Sequence, residues 1–143
     1  MRVAIASGKG GTGKTTIATS LAYTVAQRGD RVAYLDCDVE EPNGHLFLQP
    51  QIVDRRPITR LVPVVDPVRC AHCGACAQVC RYRAIACVGE RTLIFTELCH
   101  SCGGCLLACP QEAIGEVPVP IGTLRTGRSG GVEFVDGVLN VGE

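Results

Sequence analysis

Eight of the ten cysteines fall into two runs, Cys70-x2-Cys73-x2-Cys76-x3-Cys80 and Cys99-x2-Cys102-x2-Cys105-x3-Cys109, and each cysteine of the first recurs 29 positions later. Thiolates bind iron well, and the short x2 spacings let three of them from one loop meet three corners of a cubane. The pattern therefore predicts two 4Fe-4S clusters. Zinc also takes paired CxxC motifs, but its usual signature is two pairs per ion, so a repeated run of four favours iron and sulfide. His72 and His100 stand inside the loops, where four thiols per cluster already suffice, and hydrogen bonding or surface exposure is expected of them. Cys37 and Cys87 lie outside both runs and read as small buried hydrophobes, the thiolate of Cys37 being disfavoured by the acids beside it.

A second chemistry opens the chain. Gly8-Lys9-Gly10-Gly11-Thr12-Gly13-Lys14-Thr15-Thr16 follows the short apolar run 2–6 and precedes Ile17, Ala18, Leu21, Ala22 and Val25 at helical spacing. Glycines at 8, 10, 11 and 13 let successive backbone N–H groups curl inward onto phosphate oxygens, with the positive end of a helix just beyond. The expected ligand is ATP with Mg2+. Lys14 would reach the β- and γ-phosphates, Thr15 would set its hydroxyl on the metal, and Thr16 would hold the α-phosphate. After a second apolar run, Val32 to Leu35, come Asp36 and Asp38. Asp38 is assigned to the attacking water and Asp36 to the magnesium shell, with the reverse assignment and plain turn chemistry left open.

These residues imply an α/β fold in which residues 1–60 form a βαβ phosphate-loop segment, 61–118 a cysteine module and 119–143 a return into the first domain. Prolines at 50, 57, 63 and 67 predict an irregular passage between modules. Within the module Gly74 answers Gly103, Ala84 answers Ala113 and Ile85 answers Ile114 at the cysteine offset, which predicts two equivalent halves. Gly89-Glu90 between apolar runs predicts a hairpin, and Asp136-Gly137 predicts another. Two strands and one helix cannot cover both faces of a parallel sheet, so the nucleotide portion is expected to be incomplete.

Composition narrows the classes. Basic and acidic residues balance at 14 each, and the only lysines are Lys9 and Lys14, so no polybasic patch for nucleic acid or a membrane surface exists. No apolar run approaches the roughly 18 residues of a membrane span, and the glycine loop follows residue 6 without a signal-type segment. Membrane insertion is not expected, and a reducing cytoplasmic setting is, in preference to a disulfide-rich secreted scaffold.

The phosphate loop with its extra Lys9, then Asp36-Cys37-Asp38-Val39-Glu40-Glu41-Pro42-Asn43, then the two cysteine runs, resembles the MinD-superfamily P-loop ATPases that carry an inserted two-cluster ferredoxin domain. The resemblance covers essentially the whole chain as an N-terminal portion of that fold. In the MinD, ParA and nitrogenase iron-protein group the extra lysine reaches a nucleotide, commonly the partner subunit's. For Lys9 this implies a homodimer, or a complementary chain completing the ATPase fold, with Lys9, Lys14 and Asp38 in the catalytic set. The family's second switch aspartate has no counterpart here, so hydrolysis is expected only if the fold is completed. Similarity to two-cluster ferredoxins implies that the last cysteine of each run serves the other cluster. Cys70, Cys73, Cys76 and Cys109 would then hold one, and Cys99, Cys102, Cys105 and Cys80 the other. One departure is Arg81, which stands where the second run has Pro110. The implied function is ATP binding coupled to low-potential electron transfer to a redox partner protein. The alternatives are iron-sulfur cluster assembly or delivery, and a ferredoxin-type carrier with a non-functional nucleotide segment.

Overall fold

Helix α1 (Lys14–Gln27) begins where Gly13, at φ 85°, turns the chain out of the glycine loop, and it stops at Arg28-Gly29, where Gly29 again takes a left-handed φ. The computed structural model describes residues 1–142. They divide into two units, one made of Met1–Ile58 with Ile121–Gly142 and the other running from Thr59 to Pro120. Both boundaries fall inside long strands.

In the first unit, β1 (Val32–Asp36) is followed by a loop, the short helix α2 (Gly44–Leu48) and β2 (Gln51–Val65). The chain later returns through β5 (Ile114–Ser129) and β6 (Val132–Leu139). The sheet runs β1-β6-β5-β2, with β1 parallel to β6 from Val32↔Val132 to Asp36↔Asp136 and β5 antiparallel to β6 from Ser129↔Val132 to Gly122↔Leu139. Its core is Ala22, Tyr34, Leu48, Val132 and Phe134, with the Tyr34 and Phe134 rings stacked at 5.8 Å between centroids.

Four expectations are corrected. The apolar run 2–6 forms no strand and pairs with none, and β1, at the sheet edge, has its parallel neighbour in β6. A five-residue strand without a ladder leaves its backbone groups to water, which periodicity alone does not offset. The predicted βαβ pairing is therefore replaced by β1 beside β6. Residues 51–65 are strand instead of irregular passage, since β2 lies at the sheet edge, where Pro57 and Pro63 cost no essential ladder bond. The hairpin turns at Gly130-Gly131, and Asp136-Gly137 lie inside β6. Asp136 is buried against Arg125, while a Cβ at Gly137 would stand 3.2 Å from Val39, so that glycine serves close packing instead of a turn. On α1 the inward face is Ala18, Ala22 and Ala26, and Ile17 and Leu21 are exposed. Small side chains let the helix approach β6 closely, as the 3.3 Å between Ala26 Cβ and a Cβ built on Gly131 indicates.

Gly44 supplies a test of the first unit. A Cβ there would meet Tyr34 and the Asp36 carboxylate at 2.5–2.8 Å. Gly44→Ala is expected to destabilise the chain by about 1–3 kcal/mol, read from the urea midpoint; an unchanged midpoint would show that α2 shifts freely.

The second unit is built twice over. Its elements are α3 (Ala75–Val79), the hairpin β3 (Ile85–Val88) with β4 (Arg91–Ile94), a 3-10 turn at Thr96–Leu98, and α4 (Gly104–Leu107). The backbone repeats at the cysteine offset. His72 and Ser101 take φ 51° and 52°, Gly74 and Gly103 take 79° and 70°, and Arg83 and Glu112 take 53° and 47°. Left-handed residues at matched places give both cysteine loops the same path. The halves exchange hydrogen bonds reciprocally, Phe95 N–H to Ala84 O and Asp66 N–H to Ala113 O, each 2.8 Å. Cys76, Ile85 and Ile114 form the buried centre, flanked by Val65 and Ile94.

Candidate functional site

The reciprocal pairing of the halves decides which cysteines meet. Each loop delivers three thiols, and the strand exchange returns the last cysteine of the opposite run beside them. One cavity of about 330 Å³, mouth included, is walled by Cys70, Cys73, Cys76 and Cys109. A second, of about 420 Å³, is walled by Cys99, Cys102, Cys105 and Cys80. Among the described residues no group of three or more His, Cys, Asp or Glu side chains is placed to hold a single metal ion.

Backbone N–H groups are aimed at the sulfurs. Ala84 donates to Cys80 Sγ and Ala113 to Cys109 Sγ, each at 3.3 Å, and Ser101 donates to Cys99 Sγ at 3.4 Å. Such donors suit sulfur that carries negative charge. Burial, with the Cys87 thiol next in effect, pushes the Cys76 thiol up to about 11, and burial likewise raises Cys105. Neither therefore ionises readily by itself.

Three side chains near the first cavity carry more than the sequence pattern indicated. Thr92 on β4 lies opposite Cys87 on β3, and its Oγ1 is 3.6 Å from both Cys87 Sγ and Cys70 Sγ. His72 Nδ1 is 3.7 Å from Cys70 Sγ. Cys87 is thus half-buried packing, as expected, but also a neighbour of the cavity thiols. Thr92 carried no signal in the sequence, standing just ahead of the apolar run 93–95 that the hairpin was read from. His100 stacks on Tyr82 at 3.8 Å between centroids, at the wall of the second cavity.

The glycine loop forms a separate site in the first unit. Ser7, absent from the sequence assignment, organises it. Ser7 and Thr12 hydroxyls are hydrogen-bonded at 2.7 Å, and the Lys9 carbonyl, 2.8 and 3.3 Å from them, accepts the remaining hydroxyl proton. Positive φ at Gly11 and Gly13 explains those two glycines. Gly8 and Gly10 have neither positive φ nor any protein atom within 4 Å of an added Cβ, so protein packing does not require them. Lys9 is exposed, Lys14 and Thr15 are half-buried at the helix start, and Thr16 is exposed.

Asp36 closes the loop after β1. Its Oδ2 accepts from Gly44 N–H at 2.8 Å and from the Tyr34 hydroxyl at 3.4 Å, and its Oδ1 accepts from Asp38 N–H at 3.2 Å. Burial, then the neighbouring Asp36 carboxylate, raises the Tyr34 phenol, which keeps it a donor. Any metal at Asp36 competes with these bonds. Asp38 and Cys37 are exposed, the latter against the expectation of burial, because the loop leaves the sheet at Asp36. No described helix is long and apolar enough to cross a membrane.

A family model described as the CobQ/CobB/MinD/ParA nucleotide binding domain matches residues 3–136. The chain is similar to an uncharacterised protein of Methanocaldococcus jannaschii, 39% identical over 87 residues, which is 59% of this chain and 30% of that protein. An uncharacterised ATP-binding protein of the same organism is 47% identical over 57 residues, 40% of this chain and 20% of the relative. An iron-sulfur cluster carrier protein of Synechocystis is 48% identical over 46 residues, 32% of this chain and 13% of the carrier. The chain thus spans less than a third of the length of each of these relatives.

Proposed function

The chain belongs to the CobQ/CobB/MinD/ParA nucleotide-binding domain family, and from that premise we propose that it is an ATP-binding iron-sulfur protein whose two thiol cavities each hold a 4Fe-4S cluster for low-potential electron transfer. The observation that carries this reading is the composition of the cavities, four cysteines apiece with the fourth drawn from the opposite run. A full thiol complement, backbone donors to sulfur and a partly buried wall suit a resident group. When bound, that group supplies a site for one added electron. The residues 61–118 would then act as a ferredoxin-like insert, presenting its surface to a redox partner protein.

ATP with Mg2+ fits the glycine loop. Gly8 and Gly10 are explained by close approach of phosphate to the backbone, Lys14 by its charge and Thr15 by its hydroxyl toward the metal. Exposed Lys9 is free to reach a nucleotide held by a second copy or by a complementary chain, and Asp38 to orient water. Hydrolysis would await that completion. Lys14→Ala is expected to weaken ATP binding by about tenfold to a hundredfold, the loss of one charged contact, while iron and sulfide content stay unchanged. Calorimetric titration and metal analysis of anaerobically purified chain check both. Colourless protein, or zinc in place of iron, would end the cluster reading.

A second reading, cluster assembly or delivery, is favoured by the similarity to proteins named iron-sulfur cluster carriers. Rapid transfer of iron and sulfide to an apo-acceptor, dependent on ATP, would support delivery. Retained and reversibly reducible clusters would support electron transfer.

A further inference from the structure

The cavities are equivalent in their cysteines but not in their walls. Superposing one half on the other by the 29-residue offset sets Thr92 opposite Pro63 and Cys87 opposite Glu116. Thr92 lines the first cavity, and Pro63 and Glu116 line the second. At the same place in the two sites, therefore, one has a hydroxyl backed by a thiol, and the other has a ring without a donor and a carboxylate.

We propose that Thr92 and Glu116 make the two clusters inequivalent, so that the first added electron settles in the cavity of Cys70, Cys73, Cys76 and Cys109. This rests on the two-cluster reading but not on which partner the electrons serve. Once Cys70 is a thiolate ligand it only accepts hydrogen bonds. The single proton of Thr92 Oγ1 then points to Cys70 Sγ at 3.6 Å, with the Cys87 thiol at the same distance behind it. A donor on a ligand sulfur favours the state with the extra negative charge, and a carboxylate in the wall disfavours it. Both differences act in one direction, against the one backbone donor of the second cavity's first cysteine, Ser101 N–H to Cys99 Sγ at 3.4 Å. At the second loop the Arg60 guanidinium is engaged by the carbonyls of Thr96 and Cys99, at 3.1 and 3.4 Å, and its charge is also felt by the Glu97 carboxylate. The step is gain of one electron per cavity from a low-potential one-electron donor such as dithionite, with no bond made or broken.

The test is an anaerobic redox titration of the full chain followed by EPR, preceded by iron and sulfide analysis of each variant. Two separate one-electron waves are expected. Thr92→Val should move only the upper wave, to lower potential, by about tenfold in the oxidised-to-reduced ratio, which is about 59 mV for one electron. Thr92→Ser, which keeps the hydroxyl, should leave it in place. Glu116→Gln should raise only the lower wave. A single wave in the parent chain, or a Thr92→Val shift in the lower wave or in neither, overturns the inference while the clusters stand. Protein without iron and sulfide overturns the cluster reading itself, before any wave is measured.

Discussion

Cys76→Ala combined with Cys109→Ala is expected to leave half of the iron and sulfide, whereas Cys76→Ala combined with Cys80→Ala is expected to leave almost none. The first pair lines one cavity, and the second pair is divided between two. Once one thiol of a set is gone, removing another from the same set costs little more. Removing one from the other set costs a second cluster, so the double variants are additive across cavities and non-additive within one. Ligation within each run predicts the opposite, since Cys76 and Cys80 would then share a site. Iron and acid-labile sulfide per chain, measured anaerobically, decides between the two arrangements. Cys76 is the sharper choice of first thiol because it is buried in the centre of the unit, where a replacement ligand from solvent reaches least easily.

The second large effect lies in the first unit. Asp136 is fully buried in β6, and Arg125 of β5 reaches it from the directly paired position, with Nε donating at 2.8 Å and Nη2 closing the second bond to the same carboxylate. That carboxylate, by its hydrogen bond first, raises the hold of the guanidinium on its proton. Arg125→Met leaves a buried carboxylate without its cation and is expected to destabilise the unit by about 3–5 kcal/mol, seen as a lower urea midpoint. Adding Asp136→Leu should restore most of the loss, because two apolar groups of similar volume pack where the ion pair stood. If the double variant is as unstable as the single, packing in β6 and not the unpaired charge is responsible.

Local chemistry was legible because its causes are local. Cysteines three residues apart share a loop whatever surrounds them, and the matching offset of Gly74 with Gly103 and of Ala84 with Ala113 announces a second copy of the same loop. Gly89-Glu90 marks the β3–β4 hairpin because the apolar runs on either side pair across it. The first helix is legible for a similar reason, being framed by Gly13 and Gly29. The errors came from features whose meaning depends on a distant partner. Asp136-Gly137 has the composition of a hairpin turn, but Arg125 supplies a cation that lets Asp136 sit within a strand. The prolines of β2 read as breakers until the strand is known to lie at an edge. The run 2–6 has the composition of a strand and lacks a ladder.

From its residues alone, then, the chain determined the content of its two sites, a phosphate-type glycine loop and two sets of cysteines, since ligand type and spacing within a loop are set by covalent distance. Only the tertiary structure decided which fourth cysteine stands in which cavity, that Thr92 lines one cavity and Glu116 the other, and that β6 threads between β1 and β5. Those outcomes rest on hydrogen bonds and packing between residues far apart in sequence, such as Asp66 with Ala113 and Arg125 with Asp136, for which short-range pattern carries no information.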